Sequence, residues 1–148
     1  MAKLFSKLLG SKSDRDIKSI NPILKDILKA YDEVINYDND KLRSKTAEFK
    51  LQIEENIAGE KQQIEEIKEN IDNNPEMEVN EKEKLWKKID DLEKLTYEKT
   101  QEKLNDILPE AFAVLKETAR RFKVNDFVEV TANDFDRRLA ATREHVKI

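Results

Sequence analysis

A chain of 148 residues that is 41% charged and 38% hydrophobic has room for one domain, or a small domain carrying an arm, and excludes a large round core. Two glycines, three prolines and no cysteine exclude a disulfide framework and thiolate chemistry, and the abundance of Lys, Glu, Leu, Ile and Ala favours long helices over sheets. The net charge of −4 is unevenly spread: residues 1–29 hold seven bases against three acids, and residues 51–105 hold sixteen acids against nine bases.

In chain order, Leu4, Phe5, Leu8 and Leu9 recur at helical spacing beside Lys3 and Lys7, and Gly10 ends the pattern. This N-terminus is too short and too basic for a secretory leader, so the expected home is the cytoplasm. Ser13-Asp14 offers a cap for the next helix. The pattern restarts at "NPILKDILKAYDEVI", where Asn21 is the expected N-cap and Pro22 the expected first helical residue. Ile23, Leu24, Ile27, Leu28, Tyr31 and Ile35 would form its apolar face. The polar run Asn36–Asp40 should close that helix and open another.

From Lys41 to about Asp72, Leu42, Phe49, Ile53, Ile57, Ile64, Ile67 and Ile71 follow gaps of three, four and seven, a narrow helical seam. Gly59 should weaken this helix by about 1 kcal/mol relative to alanine and invites a bend. "DNNPEME" is the clearest turn signal. A second charged helix from about Asn80 then offers Leu85, Trp86, Ile89, Leu92 and Leu95 as its inner side. Two long helices joined by a short turn pair antiparallel.

Pro109 is expected to open a fresh helix. Apolar residues of that helix, Ala111, Phe112, Val114, Leu115, Ala119 and Phe122 among them, spread over so wide an arc that it should be buried between neighbours. Its expected partners are the helix of Pro22 to Ile35 and the hairpin root near Leu42 to Phe49. Phe127 to Val130 alternates like a brief strand, and Thr131 with Asp134 resembles a capping box. The expected fold is mainly α: a small helical base bearing a long antiparallel, coiled-coil-like helical hairpin.

Several chemistries are excluded. Gly10 and Gly59 lie too far apart for a phosphate-cradling loop. The single histidine, His145, rules out Cys/His zinc sites and di-iron bundles. No catalytic, cofactor-binding or metal-ligating residues are expected in this chain. Adjacent acids such as Glu54-Glu55 face different directions on a helix and read as solvated. The acidic balance, with no aromatics interleaved in a basic patch, argues against nucleic acid.

Three stretches in order, "GSKSDRDIKSINPIL", "DNDKLRSKTAEFK" and "LPEAFAVLKETARRF", resemble the extreme N-terminus of the SecA family, the ATP-driven motors of bacterial preprotein export. Leu42, Lys45, Thr46, Ala47 and Phe49 fit one family helix. Pro109, Glu110, Ala111, Phe112, Ala113 and Val114, continued by Arg120-Arg121, fit its most recognisable phrase. The resemblance covers roughly residues 1–50 and 105–122. The intervening segment looks like an inserted hairpin, as in SecA variants of the Bacteroidetes lineage.

The division this implies is an amphipathic segment (1–12), a first part of the base (13–50), the inserted hairpin (51–104), and a second part (105–148) leading toward a nucleotide-binding domain. ATP and Mg would belong to the parent protein, whose enzymatic activity this chain alone would lack. The resemblance also implies the SecYEG channel, acidic phospholipids and preprotein as partners, and a peripheral place on the cytoplasmic face of the inner membrane.

By position, Lys3, Leu4, Phe5, Lys7, Leu8 and Leu9 would meet lipid and channel. The competing reading is a helix that folds back on the base. Leu108, Pro109, Ala111, Phe112, Leu115 and Phe122 are expected as structural core. Trp86 is either a contact for a lineage-specific partner or a seam residue displaced to the edge by Leu85. The exposed seam also allows two chains to pair. A free-standing coiled-coil adaptor is the alternative to a SecA piece.

Overall fold

The computed structural model describes residues 12–145 and 147. Four helices follow one another: α1 (Lys12–Val34), α2 (Asn39–Asn73), α3 (Val79–Val124) and α4 (Asp134–Thr142). Among the described residues there is no strand, and Phe127 to Val130 is irregular rather than sheet. The fold is thus all-helical, as the composition and periodicity predict.

The turn between α1 and α2 falls on the expected polar run. Asp38 caps α2 by accepting the Lys41 N–H at 2.7 Å, satisfying one of the donors that a helix start leaves open. α2 spans 35 residues, about 52 Å at 1.5 Å per residue. It continues unbroken through Gly59, and the chain reverses over residues 74–78.

α2 and α3 then run antiparallel. Leu42 and Phe49 meet Ala113 and Val114 at the base. Glu60 pairs with Lys99 at 2.5 Å midway, and Asn56 donates to the Lys99 carbonyl at 3.1 Å. Ile64, Ile67 and Ile71 enclose Ile89 toward the tip, flanked by Leu85 and Leu92. Two separate apolar clusters therefore anchor the hairpin, with the Glu60–Lys99 pair between them.

Two prolines differ from expectation. Pro22 lies inside α1 and Pro109 inside the 46-residue α3. Each lacks the N–H that the carbonyl four residues earlier would use. Those carbonyls belong to Lys18 and Asn105, both at exposed positions where water can serve instead. Hairpin and base thus share one uninterrupted helix.

The base packs α1 on α3 and α3 on α2. Its core is Val34, Leu42, Phe49, Ala113 and Val114, with Ala30, Tyr31, Tyr37, Ile107 and Ala111 partly buried around them. Leu108 and Pro109 are half-buried. The expected helix partners are the observed ones, but three expected core residues are not in the core. Phe112 is 52% exposed, Leu115 62% and Phe122 70%. At 100° per residue α3 turns Ala113 and Glu117 to α1 and Val114 to α2, which leaves 112, 115 and 122 on a third side that no element covers.

The first helix shows the same effect. Val34 is fully buried, yet Ile23, Leu24, Leu28 and Ile35 of the anticipated face are 41–47% exposed. Trp86, 46% exposed, stands at the seam's edge while Leu85 takes the packing position.

Candidate functional site

Lys3, Leu4, Phe5, Lys7, Leu8 and Leu9 lie outside the described residues. The organised chemistry of the described chain sits in the base, where three polar clusters bind the helices together.

The first centres on Glu117, fully buried among apolar residues of α3. Its carboxylate accepts from Arg120 at 2.7 and 2.8 Å, from Arg121 Nε at 2.8 Å, and from the Tyr31 hydroxyl of α1 at 2.9 Å. Arg121 reaches onward to Asn39 Oδ1 at 2.7 Å and to the Tyr37 carbonyl at 2.5 Å. Lys116 Nζ stands 3.8 Å from the Tyr31 ring centroid. One carboxylate and one guanidinium therefore tie together α3, α1 and the start of α2. The Arg120 hydrogen bonds, against the opposing effect of burial, hold the Glu117 carboxyl at a pKa of about 2. The same carboxylate raises the Tyr31 phenol.

The second cluster surrounds Lys45, buried on α2. Its ammonium lies 2.7 Å from Glu110 and 2.8 Å from Glu48, with the Phe49 ring 5.0 Å away. Burial alone would lower the Lys45 pKa, but the bonds to Glu110 and Glu48 raise it. Glu48 also accepts from Lys41 and Ser44, both at 2.8 Å, and Lys41 contributes most to holding it at about 2.

The third cluster fastens the tail. Asn133 and Asp136 form a capping box for α4, two residues beyond the expected Thr131–Asp134 pair. Asp136 also takes a bidentate grip from Arg43 at 2.7 and 2.8 Å, which sets its pKa at about 2. Thr131 instead gives its N–H and hydroxyl to Asp40 at 2.7 and 2.5 Å, lowering that carboxyl. Beside this junction a cleft of about 390 Å³ opens between Leu42, Thr46, Val114, Thr118, Phe122 and Val130.

These clusters are structural in chemistry. Every buried side-chain polar atom is satisfied among the described residues, and no group of His, Cys, Asp or Glu there suits a metal ion. Glu117 and Lys45 were not singled out from sequence as buried polar residues. The available signal was an acid with arginines three and four residues on, set inside an apolar run.

α3 also carries an uncovered edge. Val79, Trp86, Tyr97, Leu104, Leu115 and Phe122 are all exposed, at 78, 46, 65, 39, 62 and 70%. Their spacings alternate seven and eleven, so position repeats every 18 residues, five full helical turns. They form one straight line from the hairpin tip to the base. Trp86 belongs to this line rather than to the core.

No described helix is long and apolar enough to cross a membrane. The SecA DEAD-like domain family matches residues 5–141. Among curated proteins, the protein translocase subunit SecA of Parabacteroides distasonis is 42% identical over 146 residues. That of Phocaeicola vulgatus is 44% identical over 139 residues, and that of Bacteroides fragilis 40% over 146. These alignments cover 99, 94 and 99% of this chain but 13, 12 and 13% of the relatives, so the chain spans about an eighth of their length. No solved structure matches it. With most of its length matched by one family, and by Bacteroidetes relatives as the sequence resemblance implies, the chain belongs to the SecA DEAD-like domain family.

Proposed function

We propose that this chain is the N-terminal piece of a SecA-type translocase, a helical base and hairpin that seats against the rest of the motor and has no catalytic power alone. The carrying observation is the family match over residues 5–141 in relatives roughly eight times longer. The exposed Phe112, Leu115 and Phe122 support the same reading, because a continuous apolar strip beside a cleft suits a packing surface. In the parent, ATP and Mg would be held by later segments, and hydrolysis there would drive preprotein through the SecYEG channel.

Within this reading, residues 13–50 and 105–148 form the base, and 51–104 an inserted hairpin. Residues 1–12 would touch anionic phospholipid and the channel through Lys3, Leu4, Phe5, Lys7, Leu8 and Leu9, placing the parent peripherally on the cytoplasmic face of the inner membrane.

Hydroxyl-radical footprinting tests the seating. Phe112 and Phe122 should react readily in the isolated chain and be protected in the parent-length protein. Equal reactivity in both would overturn the seating, and nucleotide turnover by the isolated chain would overturn its non-catalytic assignment. Co-sedimentation with anionic vesicles but not neutral ones tests residues 1–12.

A further inference from the structure

The base holds two outlying parts lightly. α1 contributes Val34 as its one buried side chain, and among the described residues of the tail, 126–145, none is buried. Polar bonds therefore carry much of both attachments. Those that hold the tail reach the opening turns of α2. Asn39 Nδ2 donates to the Glu129 carbonyl at 2.8 Å, Asp40 accepts from Thr131, and Arg43 grips Asp136.

The two attachments meet at Arg121, whose side chain is 12% exposed. Its Nε donates to Glu117, the carboxylate that holds Tyr31 of α1. Its Nη2 donates to the carbonyl of Tyr37, in the turn that follows α1, and its Nη1 to Asn39 Oδ1. Two of these bonds depend on where α1 lies, and the third orients the Asn39 amide. With Oδ1 facing the guanidinium, Nδ2 faces the Glu129 carbonyl. Turned about, the amide would set donor against donor and acceptor against acceptor.

We propose that the bonded chain Tyr31–Glu117–Arg121–Asn39–Glu129 couples the two attachments, so that loosening α1 loosens the tail and releasing the tail loosens α1. If α1 lifts, Arg121 loses the Tyr37 carbonyl. The Glu117 carboxylate, freed of Tyr31, then follows Arg120, whose side chain is 46% exposed, toward water. A guanidinium left short of partners in a buried place is costly, so Arg121 turns outward too and the Asn39 amide loses its fixed direction toward Glu129. Linkage makes the effect equal in the other direction. On the proposed role of residues 1–12, a ligand taken up at the front of the chain would change how firmly the tail is held. The coupling itself needs no such ligand, and it is tested without one.

Amide hydrogen exchange of the 148-residue chain, read by mass spectrometry, tests the coupling. Tyr31→Phe should speed exchange over residues 131–143 by about fivefold or more, the lower end of ordinary coupling between sites. Arg43→Ala, which frees the tail directly, should speed exchange in the docked turn of α1, residues 28–34. Asn39→Asp cuts the chain of bonds. It keeps an acceptor for Arg121 and suits the first turn of a helix, but it has no donor for Glu129. In that background the tail should already exchange fast, and adding Tyr31→Phe should change it by less than about twofold, because the route is gone. Ile89→Ala, far out in the hairpin, is the control. It weakens the whole fold without touching these bonds, so tail amides that exchange by local opening should keep their rate. Circular dichroism checks that each variant remains helical. A tail that exchanges at the free-chain rate in the unaltered protein would overturn the proposal. So would a tail indifferent to Tyr31→Phe, an α1 indifferent to Arg43→Ala, or a Tyr31→Phe effect that survives Asn39→Asp.

Discussion

The Tyr31 hydroxyl donates to the Glu117 carboxylate at 2.9 Å across 86 positions of sequence, and this bond fixes α1 against α3. α1 contributes one fully buried apolar side chain, Val34, to the base, so the polar contact carries much of the docking. Tyr31→Phe should cost about 1.5–3 kcal/mol, the range for a hydrogen bond to a charged group. Glu117→Gln should cost more, about 3–5 kcal/mol, because Arg121 loses its counter-charge in a buried setting. Urea unfolding followed by circular dichroism measures both. A double-mutant cycle should show positive coupling, and strictly additive costs would mean that the bond does not form in solution.

Acid should unfold the base through three carboxylates. Glu48, Glu117 and Asp136 have pKa values of about 2 in the folded chain, below the ordinary range of about 4. Because these pKa values are depressed, the unfolded state binds more protons between about pH 4.5 and 2. The stability they contribute is complete above that window and lost as pH falls through it. Urea midpoints should therefore be level from pH 7 to about 5.5 and fall steadily below about 4.5. Arg43→Ala removes the main partner of Asp136 and should flatten part of that fall, with the loss already present at pH 7.

The hairpin was legible because its signals are local. The seam of isoleucines, the "DNNPEME" turn and the polar run before α2 each act within a few residues, and all appear where they were read. Pro22 and Pro109 misled because a proline's preference for a first turn is a propensity: packed residues flank Pro109, and Pro22 lies in an exposed stretch where water can serve the carbonyl it leaves free. Phe112, Leu115 and Phe122 misled for another reason. A wide apolar arc says that three sides of a helix want cover, not how many neighbours this length of chain supplies. The arginines that pair with Glu117 are local, but its burial was hidden because Tyr31, and the Asn39 and Tyr37 groups that hold Arg121, join it only in three dimensions.

That difference between wanted and supplied cover is measurable. Phe112→Ala and Phe122→Ala should each change the stability of the isolated chain by less than about 1 kcal/mol, since little area is removed from water. Ile89→Ala, at a position 2% exposed inside the distal cluster, should cost about 2–5 kcal/mol. In the parent-length protein the Phe112 substitution should become costly while the Ile89 cost stays the same. Thermal melts of the four proteins in both lengths make the comparison. A large Phe112 effect in the isolated chain would mean that its third side is already covered there.

Gly59 lies between the two apolar clusters, next to Glu60 with its bond to Lys99. α2 runs helically through it, and a methyl group added there would meet nothing within 4 Å. The glycine thus contributes backbone freedom to the unfolded chain without serving a close approach. Gly59→Ala should stabilise the chain by about 0.5–1 kcal/mol, raising the melting temperature by about 2–4 °C. Amide exchange should slow most at residues 55–63, where the helix lacks a large buried cluster of its own. A destabilised variant would show that α2 bends at Gly59 in solution, with the outer hairpin moving as a separate lever on the base.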